Sequence, residues 1–85
     1  MERLTKKLDD KDIYIVDNDK IDQAINKLAI FEDIYEELNA EQIEISKKLE
    51  VLRNEGKMKS LKFRELMTKK LTNSAVLTLF KNYGI

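Results

Sequence analysis

Eighty-five residues, 42% of them hydrophobic and 38% charged, make one domain of a size at which core burial is only marginally sufficient. Cysteine and histidine are both absent, which excludes a disulfide framework, thiolate metal sites, the usual zinc sites and histidine-based catalysis. With no proline and only Gly56 and Gly84 to interrupt a chain rich in Lys, Glu, Leu and Ile, the composition favours helix.

The formal net charge is zero, but the zero is a cancellation between regions. Residues 21–55 carry nine acidic and four basic groups, and residues 56–85 carry seven basic groups against Glu65 alone. An acidic middle followed by a basic last third is the strongest compositional signal in the chain. No apolar run approaches the roughly 20 residues of a membrane span, and Met1 to Leu8 lacks the apolar segment of a signal peptide. Both features lead to the expectation of a cytoplasmic protein with no membrane partner.

At the start of the chain, Ile13-Tyr14-Ile15-Val16 is a short β-prone run between Asp9-Asp10-Lys11-Asp12 and Asp17-Asn18-Asp19, which supply turn chemistry. Arg3 to Leu8 can pair with it as a hairpin that needs a helix to lie on. The Asp17-Asn18-Asp19 triplet invites a calcium reading. An EF-type loop, however, wants an oxygen ligand at Ile21, glycine at Asp22 and a bidentate carboxylate at Leu28. The expected role of Asp17 or Asp19 is to cap the helix that follows.

From Ile21 the apolar residues recur at helical spacing: Ile21, Ala24, Ile25, Leu28, Phe31, Tyr35 and Leu38. Two positions depart from the stripe. Glu32 falls inside the arc and needs a partner or water. Ile30 falls on the polar side and forms an i, i+4 pair with Ile34. Either the hairpin covers that pair or it belongs to a partner surface. At Leu38-Asn39-Ala40-Glu41-Gln42-Ile43, Asn39 and Gln42 occupy the places of a capping box, and Leu38 and Ile43 those of a hydrophobic staple. These signals predict that one helix ends and a second begins. The competing reading is one long helix, with Ile21, Leu28, Tyr35 and Leu49 in one heptad register and Ala24, Phe31, Leu38, Ile45 and Leu52 in the next. That reading places Gln42 in the seam and Asn39 in mid-helix. In either case Gly56 is well placed as a left-handed residue just past the helix end.

Beyond a basic connector, Lys57-Met58-Lys59, Ser60 is suited to cap a third helix with Phe63, Leu66, Met67 and Leu71 on its apolar face. Lys70 lies within that arc and must snorkel or mark the helix end. Thr72-Asn73-Ser74 predicts a further break and a fourth helix with Val76, Leu79, Phe80 and Tyr83 as its stripe, closed by Gly84. The expected fold is therefore mostly α: a small bundle of about four helices. Residues 1–19 form a β-hairpin or an irregular arm, 20–55 an acidic helical pair and 56–85 a basic helical pair.

The cations Lys57, Lys59, Lys62, Arg64 and Lys69 are candidates for following a phosphate backbone. Base-specific reading is disfavoured, because the last helix offers few polar side chains for base edges. The plainer reading is a solvated face that partly neutralises the acidic middle, within one chain or between copies. Adjacent carboxylates such as Glu32-Asp33 and Glu36-Glu37 point to different sides of a helix among other solvated charges. Nothing marks them as perturbed acid–base pairs, and no enzymatic activity or cofactor is expected.

Several stretches carry a family resemblance: the opening Met1-Glu2-Arg3-Leu4-Thr5, the run Ile25-Asn26-Lys27-Leu28-Ala29-Ile30-Phe31-Glu32-Asp33, the junction Leu38 to Ile43, and the ending from Lys69 through Leu77 with Tyr83-Gly84-Ile85. Together they resemble a group of small phage and prophage proteins of Gram-positive bacteria, whose helix commonly reads KLAxYED. In that group the junction often reads Leu-Thr-Pro-Glu-Glu-Ile, a capped helix start with proline at its first position. Here Asn39 stands for the threonine and Ala40 for the proline. The resemblance covers about half the chain and transfers no functional residue.

By analogy, the resemblance implies a non-catalytic accessory protein that binds a host or defence-system protein and blocks its action, in the manner of anti-CRISPR inhibitors. The residues expected to make that contact are Ile30 and Ile34, surrounded by Asp33, Glu36 and Glu37. The alternatives are a nucleic-acid-binding or regulatory protein using the basic last third, and a self-assembling structural component of a phage particle. Homo-oligomerisation is expected because so small a core often recruits a second copy.

Overall fold

A computed structural model describes residues 2–9 and 12–85. Two short strands, β1 (Thr5–Lys7) and β2 (Tyr14–Val16), are followed by a 3-10 turn at Asn18–Lys20 and two helices, α1 (Ile21–Asn54) and α2 (Leu61–Asn82). The chain divides into two units, Met1–Ile34 and Tyr35–Ile85.

In the first unit β1 and β2 pair antiparallel, with Thr5 opposite Val16, Lys6 opposite Ile15 and Lys7 opposite Tyr14. This is the hairpin expected from the β-prone run. Of its turn chemistry, Asp10 and Lys11 lie outside the described residues. Asp9 adopts a positive φ of 51°, a conformation that aspartate tolerates better than most residues. Lys6 Nζ stands 2.9 Å from Asp17 Oδ2. That hydrogen bond and the attraction between the two charges lower the Asp17 pKa and raise that of Lys6. Asp17 occupies the N-cap position of the 3-10 turn but makes no side-chain cap bond, its carboxylate being turned to the hairpin instead. A groove of ≈560 Å³ separates β1 from α1, lined by Leu4, Ala24, Leu28 and Phe31 with Arg3 and Lys27 among its polar neighbours. Among the described residues of this unit none is fully buried.

The second unit is an antiparallel pair formed by the later part of α1 and by α2. Tyr35 meets Phe80 at one end, with ring centroids 6.2 Å apart, and Arg53 lies over the Phe63 ring at 5.6 Å at the other. Between them sits the core, Ile45, Leu49 and Leu66, with Leu52, Phe63 and Met67 packed against it. Both helices follow a seven-residue repeat across this seam: Tyr35, Leu38, Gln42, Ile45, Leu49 and Leu52 on α1, and Phe63, Leu66, Lys70, Asn73, Leu77 and Phe80 on α2. Such a repeat keeps one stripe of each helix facing the other.

The expected four-helix bundle is therefore corrected to two helices and a short hairpin. Neither predicted break occurs. Asn39 does not cap; it sits inside α1 and donates its side-chain N–H to the Tyr35 carbonyl at 3.0 Å. Likewise Thr72 Oγ1 bonds back to the Thr68 carbonyl at 3.0 Å within α2, and Asn73 turns into the seam, where it is buried. Lys70 is half-buried with the helix continuing past it. Leu77 takes the seam position in place of Leu79, which is exposed along with Tyr83 and Leu71.

The true helix ends are where local chemistry puts them. Gly56 has φ +70°, its N–H meets the Arg53 carbonyl, and the Lys57 N–H reaches back to Leu52. That pair of bonds is a Schellman closure. Gly84 (φ +86°) repeats it, with its own N–H on Lys81 and that of Ile85 on Phe80. Ser60 caps α2, its Oγ accepting from the Phe63 N–H at 3.2 Å.

Candidate protein-binding surface

An α-helix turns by roughly 100° per residue, which sets the faces available on α1. Ile30, Asp33, Ile34 and Glu37 fall within an arc of about 100° on that period, and Glu36 stands about 60° beyond its edge. Ile30 is 60% exposed and Ile34 46%, so the hairpin leaves this pair open and the covered reading is ruled out. Asp33, Glu36 and Glu37 are exposed as well. Among the described residues none of the three forms an ion pair. Glu32, the misfit of the sequence pattern, is also exposed to water. The arrangement is an apolar pair with exposed carboxylates beside it on a regular helix.

The basic candidates are less coherent. Lys57 and Lys59 lie in the interhelical turn, and Lys62, Arg64 and Lys69 on α2. By helical period Lys62 and Lys69 share a side, while Arg64 points roughly 150° away from them. Two of the five cations are already engaged: Lys57 Nζ is 2.8 Å from Glu55 Oε2, and Lys69 Nζ is 3.3 Å from Glu41 Oε1. Its hydrogen bond with Glu55, together with that carboxylate's charge, raises the Lys57 pKa. Lys59, Lys62 and Arg64 make no ion pair among the described residues.

The seam holds a polar layer, of which the one-helix reading placed Gln42 while Asn73 with Glu41 escaped the sequence pattern. Asn73 Nδ2 donates to Glu41 Oε1 at 2.8 Å, and Lys69 reaches the same oxygen. The Asn73 bond, with Lys69 adding to it against the effect of burial, lowers the Glu41 pKa. One turn along, Gln42 Nε2 donates to the Lys70 carbonyl at 3.0 Å. Gln42 Oε1 is buried with no partner among the described residues. Polar groups at heptad seam positions specify register and pairing at a cost in stability. The signal that points to this layer is the heptad of α2, which runs unbroken from Phe63 to Phe80 and so puts Asn73 inside the seam rather than at a cap.

Among the described residues no group of three or more His, Cys, Asp or Glu side chains is placed to hold a metal ion. Nor is any helix among them long and apolar enough to cross a membrane. Comparison with protein-family models, curated proteins and solved structures finds no match.

Proposed function

We propose that this chain is a non-catalytic accessory protein, of the phage or prophage kind that its sequence resembles, which binds a host or defence-system protein and blocks its action. The observation that carries the reading is the open Ile30–Ile34 pair with the carboxylates Asp33 and Glu37, which form no ion pair among the described residues, beside it on α1. Exposed branched aliphatics ringed by charge suit a desolvated contact centre with a polar rim. The carboxylates steer encounter with a cationic partner and set partner choice more than affinity. An acidic helical face can also occupy a nucleic-acid groove on its partner by standing where phosphates would lie. Glu36, off the main arc, contributes to the field rather than to the contact.

The nucleic-acid reading has weaker support, because the five cations do not share one face and two of them are internally paired. A tagged pull-down from a Gram-positive bacterial lysate, with and without nuclease, separates the two. The expected result is a discrete protein retained in both lanes by the wild type and lost with Ile30→Asp or with Asp33→Lys/Glu37→Lys. Retention by those variants, with loss on charge reversal at Lys59, Lys62 and Arg64 instead, overturns the reading.

A further inference from the structure

Opposite charges in this protein are sorted by region and are largely not spent on each other. Lys69–Glu41 is the one ion pair among the described residues that joins the acidic part of α1 to the basic α2. On the second unit, beside the seam, lies a groove of ≈360 Å³ with Val51, Leu52 and Leu66 as its apolar lining. Val51 is 53% exposed and Leu66 belongs to the buried core, so the groove runs from solvent down to the best-packed part of the molecule. Lys47, Lys48 and Lys62 rim it, with Glu44 at one edge. None of the three lysines has an ion-pair partner among the described residues.

What fits an apolar trough with three cations on its rim is an amphipathic helix with branched aliphatics at i, i+4 spacing and carboxylates beside them. The chain carries such a face itself: Ile30 and Ile34, with Asp33 and Glu37 in the same arc. We propose that the groove receives the Ile30–Ile34 face of a second copy of this chain, its aliphatic pair on Val51 and Leu52 and its carboxylates on the lysine rim. Every copy offers both surfaces, and across the contact the two carboxylates Asp33 and Glu37 meet the three rim lysines. The docking accounts at once for two exposed apolar patches and for two sets of charges that form no ion pair among the described residues. It also bears on activity: self-association covers the face assigned above to the target, so target binding and dimerisation compete. That consequence rests on the proposed function; the docking does not.

The test uses two charge-reversed full-length chains, one with Asp33→Lys and Glu37→Lys, the other with Lys48→Glu and Lys62→Glu. All four positions are exposed, and far-UV circular dichroism checks that the helices persist. Sedimentation velocity is expected to show wild-type dimers in the tens of micromolar that dissociate as salt rises. Each variant alone should associate on the order of 100-fold more weakly, because like charges then face each other. An equimolar mixture of the two should recover the dimer, since acidic face and basic groove are complementary again between unlike chains. A wild type that stays monomeric over that range, variants that dimerise as the wild type does, or a mixture that stays monomeric each overturns the docking. None of these readouts involves the target protein, so failure here leaves the proposed function standing. Conversely, an empty pull-down with bait held below the concentration at which the wild type dimerises removes the proposed function and leaves the docking intact.

Discussion

Gln42 has one end of its amide bonded and the other stranded. Its Nε2 reaches the Lys70 carbonyl at 3.0 Å, while its buried Oε1 has no partner among the described residues. An unsatisfied buried acceptor costs roughly 1–3 kcal/mol, more than a neutral hydrogen bond typically returns. Gln42→Leu is therefore expected to stabilise the chain by about 1 kcal/mol in urea denaturation, the Lys70 carbonyl keeping its place in the α2 ladder. Glu41 behaves differently, because its folded-state pKa is depressed, first by the Asn73 bond. A depressed carboxylate contributes stability that is fully present above the ordinary glutamate range and is lost as pH falls through the lower folded value. The wild type should thus lose urea resistance on acidification through that window more steeply than Glu41→Gln, which has no proton to take up.

At the scale of the element, α1 holds together across a sequence that advertises a break. A good N-cap is worth about 1 kcal/mol, whereas burying one large apolar side chain is worth about 1.5–3 kcal/mol. Continuity through Asn39 keeps Leu38, Ile45, Leu49 and Leu52 in a single seam against α2, and that outweighs the cap. Ala40→Pro reads the difference directly. In mid-helix a proline removes the bond to the Glu36 carbonyl and clashes with the preceding turn, a loss of about 3 kcal/mol or more. Were residue 40 the first of a new helix, proline would be neutral or favourable there. The expected result is a large drop in melting temperature followed by far-UV circular dichroism. The same competition explains α2, where Asn73 forgoes a cap for a part-buried bond to Glu41.

For the whole molecule, the supply of buried side chains is small. Among the described residues the buried apolar set is Ile45, Leu49 and Leu66, at 3%, 0% and 7% exposure, and the first unit contributes none of them. Chains of this size are marginal even with a good core, and the docking proposed above would add stability by mass action. The melting temperature is expected to rise with protein concentration, on the order of 4 °C per tenfold. The charge-reversed variants described above should show no such rise singly and should regain it when mixed.

Elements governed by local chemistry were legible in the residues themselves. The hairpin follows from a β-prone run between turn formers, the start of α2 from Ser60, and both helix ends from glycines that reach positive φ without strain. The Ile30–Ile34 pair was legible too, as an apolar pair off the main stripe, but that the hairpin leaves it uncovered was not. What only the tertiary structure decided is the use made of residues with two competing roles. Asn39 and Asn73 each suit a cap by local chemistry and a mid-helix position by heptad register. The choice between the roles depends on whether another helix lies against them. The groove at Val51, Leu52 and Leu66 is of the same kind, because its walls come from two helices whose pairing is set by long-range packing. Sequence determined where helices can start and stop; packing between α1 and α2 determined which of those places were used.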